Sequence, residues 1–318
     1  MKLGKLYDEI VRFGIKNDPR SGAGIKADAA RVRAAFKKLT AVEKKYYDKE
    51  RLRHPYADTR LLYGNPGREI RTMMVGIDME APELLLADRL REKGLPIDLV
   101  LAHHPEGKAL SNLTEVMHLQ KDMMSALGIR DEIANSIMDE RIGEVARSLT
   151  AANHPRAVDA ARLLDIPYIC AHTAADNHVS TYLAALFDRI KPKKVKHVLG
   201  ILRSIPEYRI GMEKSAGPFL AAGKDDNAAG RVFVDMTGGT EGSKKLFARM
   251  SQAGVSTIVG MHFSEAHYAS AKGEHINLII AGHIASDNLG MNLLLDNLER
   301  RGRFNVVSCS GFERVSRA

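Results

Sequence analysis

The feature that most restricts how this chain can fold is a rhythm that begins near residue 69. Short, β-branched apolar runs alternate there with amphipathic stretches. IRTMMVGID (70–78) reads as a strand and APELLLADRLREKG (81–94) as a helix closed by Gly94. LPIDLVLA (95–102) reads as a strand that runs directly into HHPEG. Helices are expected across 112–164, then a strand at IPYICAH (166–172). The second half continues with strands at 231–237, 255–261, 275–282 and 304–310, and helices at 241–254 and 287–302. Short strands alternating with amphipathic helices predict an α/β fold with largely parallel sheets. The Lys-rich stretch IKPKKVKH (190–197) is the natural division between two α/β lobes, 57–190 and 191–318, and no clean internal repeat stands out. A chain of 318 residues is about the size for two such units.

Residues 1–56 differ from the rest. They read as helical, with a turn at 20–24, and hold 15 Lys and Arg against 7 Asp and Glu. The formal charge of the whole chain is +8, so the remaining residues balance at zero. A basic helical extension on a neutral body could dock a protein partner. No nucleic-acid-binding signature accompanies the charge, and aromatic residues make up only 6%, so nucleic acid is a disfavoured partner. Apolar runs stop at about 6 residues, far short of the ~20 a membrane helix needs. Cys170 and Cys309 cannot build a disulfide framework, and no signal peptide is legible, so a cytoplasmic setting is expected.

The polar residues that could carry chemistry fall at the C-terminal ends of the expected strands, where open α/β sheets place their ligands. One strand ends in His103 and His104; another ends in His172, with Asp176 four residues on. A third ends in His283, with Asp287 four residues on, and a fourth ends near His262, with Glu265 and His267 beyond it. Imidazole nitrogen and carboxylate oxygen together suit Zn, Fe, Mn, Ni or Co. His103 and His104 can face one site only where the strand breaks into a loop, and Pro105 and Gly107 mark that break. His262, Glu265 and His267 are read as candidate general acid–base groups, with solvated helix residues as the competing reading. DMTGGTEGSKK (235–245) lacks the spacing of a phosphate-binding loop, so tight strand–helix packing is expected there.

Taken together, VGIDMEAPELLLADRL, IDLVLAHHPEG, YICAHTAADNHVSTYLAA and INLIIAGHIASDNLGMNLLLDNL resemble the Nif-three-like family, also labelled GTP cyclohydrolase I type 2 homologues. The resemblance covers roughly residues 57–318 and includes YADTRLLYGNPG (56–67), with Asp58 and Gly64 in matching places. It implies two α/β lobes flanking a cleft with two divalent metal ions, and ring-shaped homo-oligomers, often hexameric. By the same resemblance His103, His104, Asp176, His283 and Asp287 are the metal ligands, and His172 is a supporting residue. The family's Glu is Asp287 here, one methylene shorter, so its backbone must approach the ions or one ion is less well bridged. The implied function is a metal-dependent hydrolase acting on a small molecule, a nucleotide, phosphate ester or cyclic amide. The alternative is a metal-binding interaction or regulatory protein without turnover.

Overall fold

The computed structural model describes residues 1–317. Its strands are β1 (Thr59–Tyr63), β2 (Thr72–Gly76), β3 (Leu99–Ala102), β4 (Tyr168–Ala171), β5 (Phe219–Ala222), β6 (Arg231–Asp235), β7 (Val255–Gly260), β8 (Asn277–Ile280) and β9 (Asn305–Ser308). Among the described residues they form two sheets, ordered β1-β4-β3-β2-β9 and β5-β8-β7-β6. In each, three consecutive strands run parallel, and the strand before them is added antiparallel at one edge. Strands β2, β3 and β4 are buried along their whole length, which is why they read as continuous apolar runs rather than alternating ones.

The repeated topology exposes a repeat in the sequence that spacing alone had not revealed. After its last parallel strand, each sheet feeds a long buried helix, His172–Ile190 after β4 and His283–Glu299 after β8. These helices open with HTAADN and HIASDN, and each carries its aspartate one turn after the histidine. They pack along one another between the two sheets. At Gly290 an added Cβ would lie 2.6 Å from the Ala175 carbonyl oxygen, so the backbones approach as closely as a helix pair allows.

The two helices face both ways. Ala174, Ala175, Met291, Leu294, Leu295 and Leu298 pack under the first sheet, whereas Val179, Leu183, Phe187 and Leu289 pack toward the second. Other helices close the outer faces. Ala81–Glu92 and Arg156–Leu163 cover the first sheet, and Leu246–Gln252 and Glu265–Gly273 cover the second.

Several sequence expectations need correction. The expected boundary at 190/191 is crossed in both directions. Strand β9 returns to the first sheet beside β2, and the helices His118–Ala126 and Asp131–Leu149, encoded between β3 and β4, bury Met123, Met124, Met138 and Val145 in the core of the second sheet. Residues 1–56 are helical, but Leu3–Lys16 is no free arm, because Leu3, Leu6, Ile10 and Phe13 are buried in the first-sheet core. Each fully buried Leu or Ile contributes about 1.5–3 kcal/mol, so this helix is a structural part of the domain. The helices Gly22–Lys38 and Ala41–Tyr46 are the exposed portion, with Val32 alone buried. The helix expected at 241–254 is present only over Leu246–Gln252. Ahead of it, Gly238 and Gly239 adopt positive φ (99° and 89°), and Gln120 donates to the carbonyls of Gly238 (2.9 Å) and Thr240 (2.6 Å), holding the segment as a packed loop.

Candidate metal centre

The strand ends and the two long helices converge on one buried cluster. His103 and His104 follow β3 at the strand break, and their backbone N–H groups donate to Gly76 and Ile77 at 2.9 and 3.0 Å, which fixes the bend. Asp176 and Asp287 lie one turn inside their helices, so each aspartate shares a face with the histidine that opens the helix. Asp287 is therefore not the first residue of a helix starting at 287; the helix begins at His283.

His103 Nε2 lies 3.4 Å from Asp176 Oδ1 and 3.3 Å from Asp287 Oδ1. His104 Nε2 and His283 Nε2 each lie 3.5 Å from Asp287 Oδ2. None of these contacts is a hydrogen bond in the structure. His103 Nε2, Asp176 Oδ1 and both Asp287 oxygens are fully buried with no hydrogen-bond partner. Buried polar atoms are normally paired, and four converging orphans ask for a common partner. Two donors on a four-coordinate ion, with bonds of about 2.0–2.1 Å, sit roughly 3.3–3.4 Å apart, which is the separation observed. The donor set, nitrogen and oxygen without thiolate, is that of a divalent transition metal. Three overlapping triads could each hold an ion: His103, Asp176 and Asp287; His104, His283 and Asp287; and His103, His104 and His172.

The surroundings fit the same reading. His104 Nδ1–H donates to Asp78 Oδ1 at 2.6 Å and His172 Nδ1–H donates to Asp58 Oδ2 at 2.8 Å, which leaves each Nε2 free toward the cluster. Carboxylates that fix the tautomer of a ligating histidine are a common companion of metal sites. Thr173 Oγ donates to the same Asp58 oxygen at 2.6 Å. Burial works against the ionisation of Asp287, yet His103, His104 and His283 hold its carboxyl well below the usual range. Burial pushes Asp176 up to about 8, with Asp287 and Asp58 adding to the rise and His172 opposing it. Burial drives His103 down to about 4, against the pull of Asp287. A buried carboxyl group whose ionisation is opposed by desolvation and by acidic neighbours is one that a bound cation would stabilise.

Beside the cluster opens a cavity of about 290 Å³, lined by His104, His172, Asp176 and His283 and, from the second sheet, by Asp235, Glu241 and His262. Of the three residues read as acid–base candidates, His262 reaches this space, its ring 4.7 Å from that of His283. His267 also lines the cavity, but it is tied into the structure, with Ser264 Oγ 2.6 Å from Nδ1 and Gly242 O 3.0 Å from Nε2. Glu265 is exposed at the start of its helix and is not among the cavity's lining residues. The carboxylate that faces His262 is Glu241, whose Oε1 lies 3.2 Å from Nδ1 and also accepts the Ser264 N–H at 2.8 Å. This partnership raises the His262 pKa against its partial burial.

Sequence reasoning missed Asp78, Asp235 and Glu241. The first two stand at or just past strand ends, so the rule that found the histidines would have found them too. Glu241 lies in the glycine-rich stretch 235–245, which reads as tight strand–helix packing.

Two sheets sharing a central helix pair, with a histidine–carboxylate cluster at the head of that pair, define a two-sheet α/β protein whose cluster could hold a metal ion. A scan of protein-family models finds no match, and a search of curated proteins finds none. Among solved structures, the chain is similar to a NIF3 superfamily protein from Sphaerobacter thermophilus, at 28% identity and a TM-score of 0.68, over 80% of this chain and 91% of that one. Weaker likenesses are to reduced HcgD from Methanocaldococcus jannaschii (15% identity, TM-score 0.46, 85% and 97% covered) and to protein ybgI (16%, 0.48, 86% and 98%). This likeness supports the Nif-three-like resemblance carried by the sequence motifs.

Proposed function

We propose that this protein is a metal-dependent hydrolase whose cleft holds two divalent ions. His103, Asp176 and Asp287 would hold one, and His104, His283 and Asp287 the other, with Asp287 shared through its two oxygens. The observation that carries this reading is the convergence of buried, unpaired ligand atoms from β3 and both central helices. Bound there, divalent ions supply Lewis acidity toward a substrate and lower the pKa of water toward neutrality.

The chain's own residues supply the rest. Asp78 and Asp58 hold His104 and His172 in the tautomer that presents Nε2. Glu241 accepts from His262 Nδ1–H, so Nε2 is the atom left to take or deliver a proton in the cavity. Leu110, Leu113, Met236, Met261 and Phe263 give the cavity an apolar lining that limits water. The fitting substrate classes are a nucleotide, a phosphate ester or a cyclic amide.

A second reading, a metal-binding interaction protein without turnover, draws on the exposed basic helices Gly22–Lys38 and Ala41–Tyr46, which present a free surface to a partner. The test is a panel of phosphodiesters, nucleotides and cyclic amides offered to metal-loaded protein. Turnover that chelation abolishes, and that His262→Gln lowers about 10²–10⁴-fold at unchanged metal content, supports the hydrolase. Full metal content with no turnover across the panel favours the second reading.

A further inference from the structure

The cavity contains one carboxylate that the chemistry above leaves without a task. Asp235 ends β6 and lines the cavity, yet its carboxylate has no hydrogen-bond donor and no ion-pair partner among the described residues. Its neighbour Glu241 is already committed to His262 and Ser264. Thr237 is likewise committed, donating to Asn177 Oδ1 at 2.7 Å. Asp235 is thus the free acceptor in this part of the wall. No Lys or Arg lines the cavity, so a phosphate placed on the second-sheet side would meet two carboxylates there. A carboxylate with both oxygens open is matched by a planar group that offers two parallel N–H donors. At about 290 Å³ the space is at the lower limit of small-molecule pockets and suits a single ring. The apolar side chains around it would cover the faces of such a ring.

We propose that Asp235 selects and orients the substrate by accepting two N–H bonds from an amidine- or guanidine-type group on a small planar molecule. This rests on reading the cavity as the hydrolase's substrate pocket, and it narrows the substrate from three classes to nitrogen-rich rings related to the cyclic amides. The remainder of the ring then lies toward the histidine–carboxylate cluster, while phosphate esters are excluded.

The test uses two probes that share one ring, benzamidine and phenyl phosphate, titrated by calorimetry into the full chain with and without zinc. Wild type is expected to bind benzamidine in both states. Asp235→Asn is expected to weaken that binding about tenfold or more, and Asp235→Glu to retain most of it. Phenyl phosphate affinity is expected not to fall in Asp235→Asn. Wild type that ignores benzamidine, an Asp235→Asn variant that binds it as wild type does, or equal loss of both probes would overturn the proposal. Metal content measured on the same samples separates this outcome from the hydrolase reading. Wild type without metal would sink the hydrolase and leave the benzamidine result standing, because that result is read on the metal-free chain as well.

Discussion

The two oxygens of Asp287 face different histidines, Oδ1 toward His103 and Oδ2 toward His104 and His283. The cluster's histidines and aspartates were legible in the sequence because they follow strand ends at fixed spacing. Their partners Asp78 and Glu241 were not, since the contacts span 26 and 21 residues and depend on how strands are ordered. A buried network around His54 was equally invisible. Tyr7 Oη lies 2.7 Å from His54 Nε2, and His54 Nδ1 accepts the Tyr56 N–H at 3.2 Å, so a protonated ring would lose an acceptor. Burial, helped by Arg60 and opposed by Glu50, holds the His54 pKa below its ordinary value. The unfolded chain therefore takes up a proton before the folded one does. Stability is full above about pH 6.5 and falls as pH drops toward the folded pKa. Urea midpoints at pH 7.5 and 5 are expected to differ less in His54→Gln than in wild type; an equal difference would remove His54 as a source of acid sensitivity.

At the scale of elements, hydrophobic rhythm located the parallel strands and most of the helix His283–Glu299, but gave no helix over 172–190 and began the other helix four residues late. The helices His172–Ile190 and His283–Glu299 start at their histidines, directly from the strands, and this is what puts each aspartate one turn in, facing the cleft. The antiparallel edge strands β1 and β5 escaped notice because β5 is short and half-exposed, and β1 follows a helical stretch. The pair HTAADN and HIASDN was visible as letters, but its meaning required the matching sheet orders. Gly290 is the residue on which the helix seating depends. Gly290→Ala must push Ala175 away from a 2.6 Å contact, with an expected cost of about 1–3 kcal/mol and weaker metal retention, because Asp287 lies one turn from the contact. Thermal melts and metal titration of that variant check both effects. Unchanged metal affinity would mean that the helix approach does not set the cluster.

For the whole molecule, the chain winds between its two sheets instead of completing one before starting the other. The excursion between β3 and β4 packs on the second sheet, β9 returns to the first, and Leu3–Lys16 lies in the first-sheet core. Local patterning carries no information on such crossings, since Met123 or Leu6 would read the same against either sheet. Asn177 shows how far the interlock reaches, donating to Gly14 O at 3.2 Å and to Tyr56 Oη at 3.1 Å while accepting from Thr237 Oγ. None of the described helices is long and apolar enough to cross a membrane. These windings bring three segments together around the proposed divalent-metal site. Its most direct measurement is the metal content of purified protein by mass spectrometry, for wild type, His104→Ala and Asp287→Asn expressed with ample metal. Wild type is expected to carry about two ions per chain. His104→Ala is expected to lose one and Asp287→Asn at least one, while all three melt cooperatively. Metal near zero in wild type, or wild-type metal content in the Asp287→Asn protein, would contradict it.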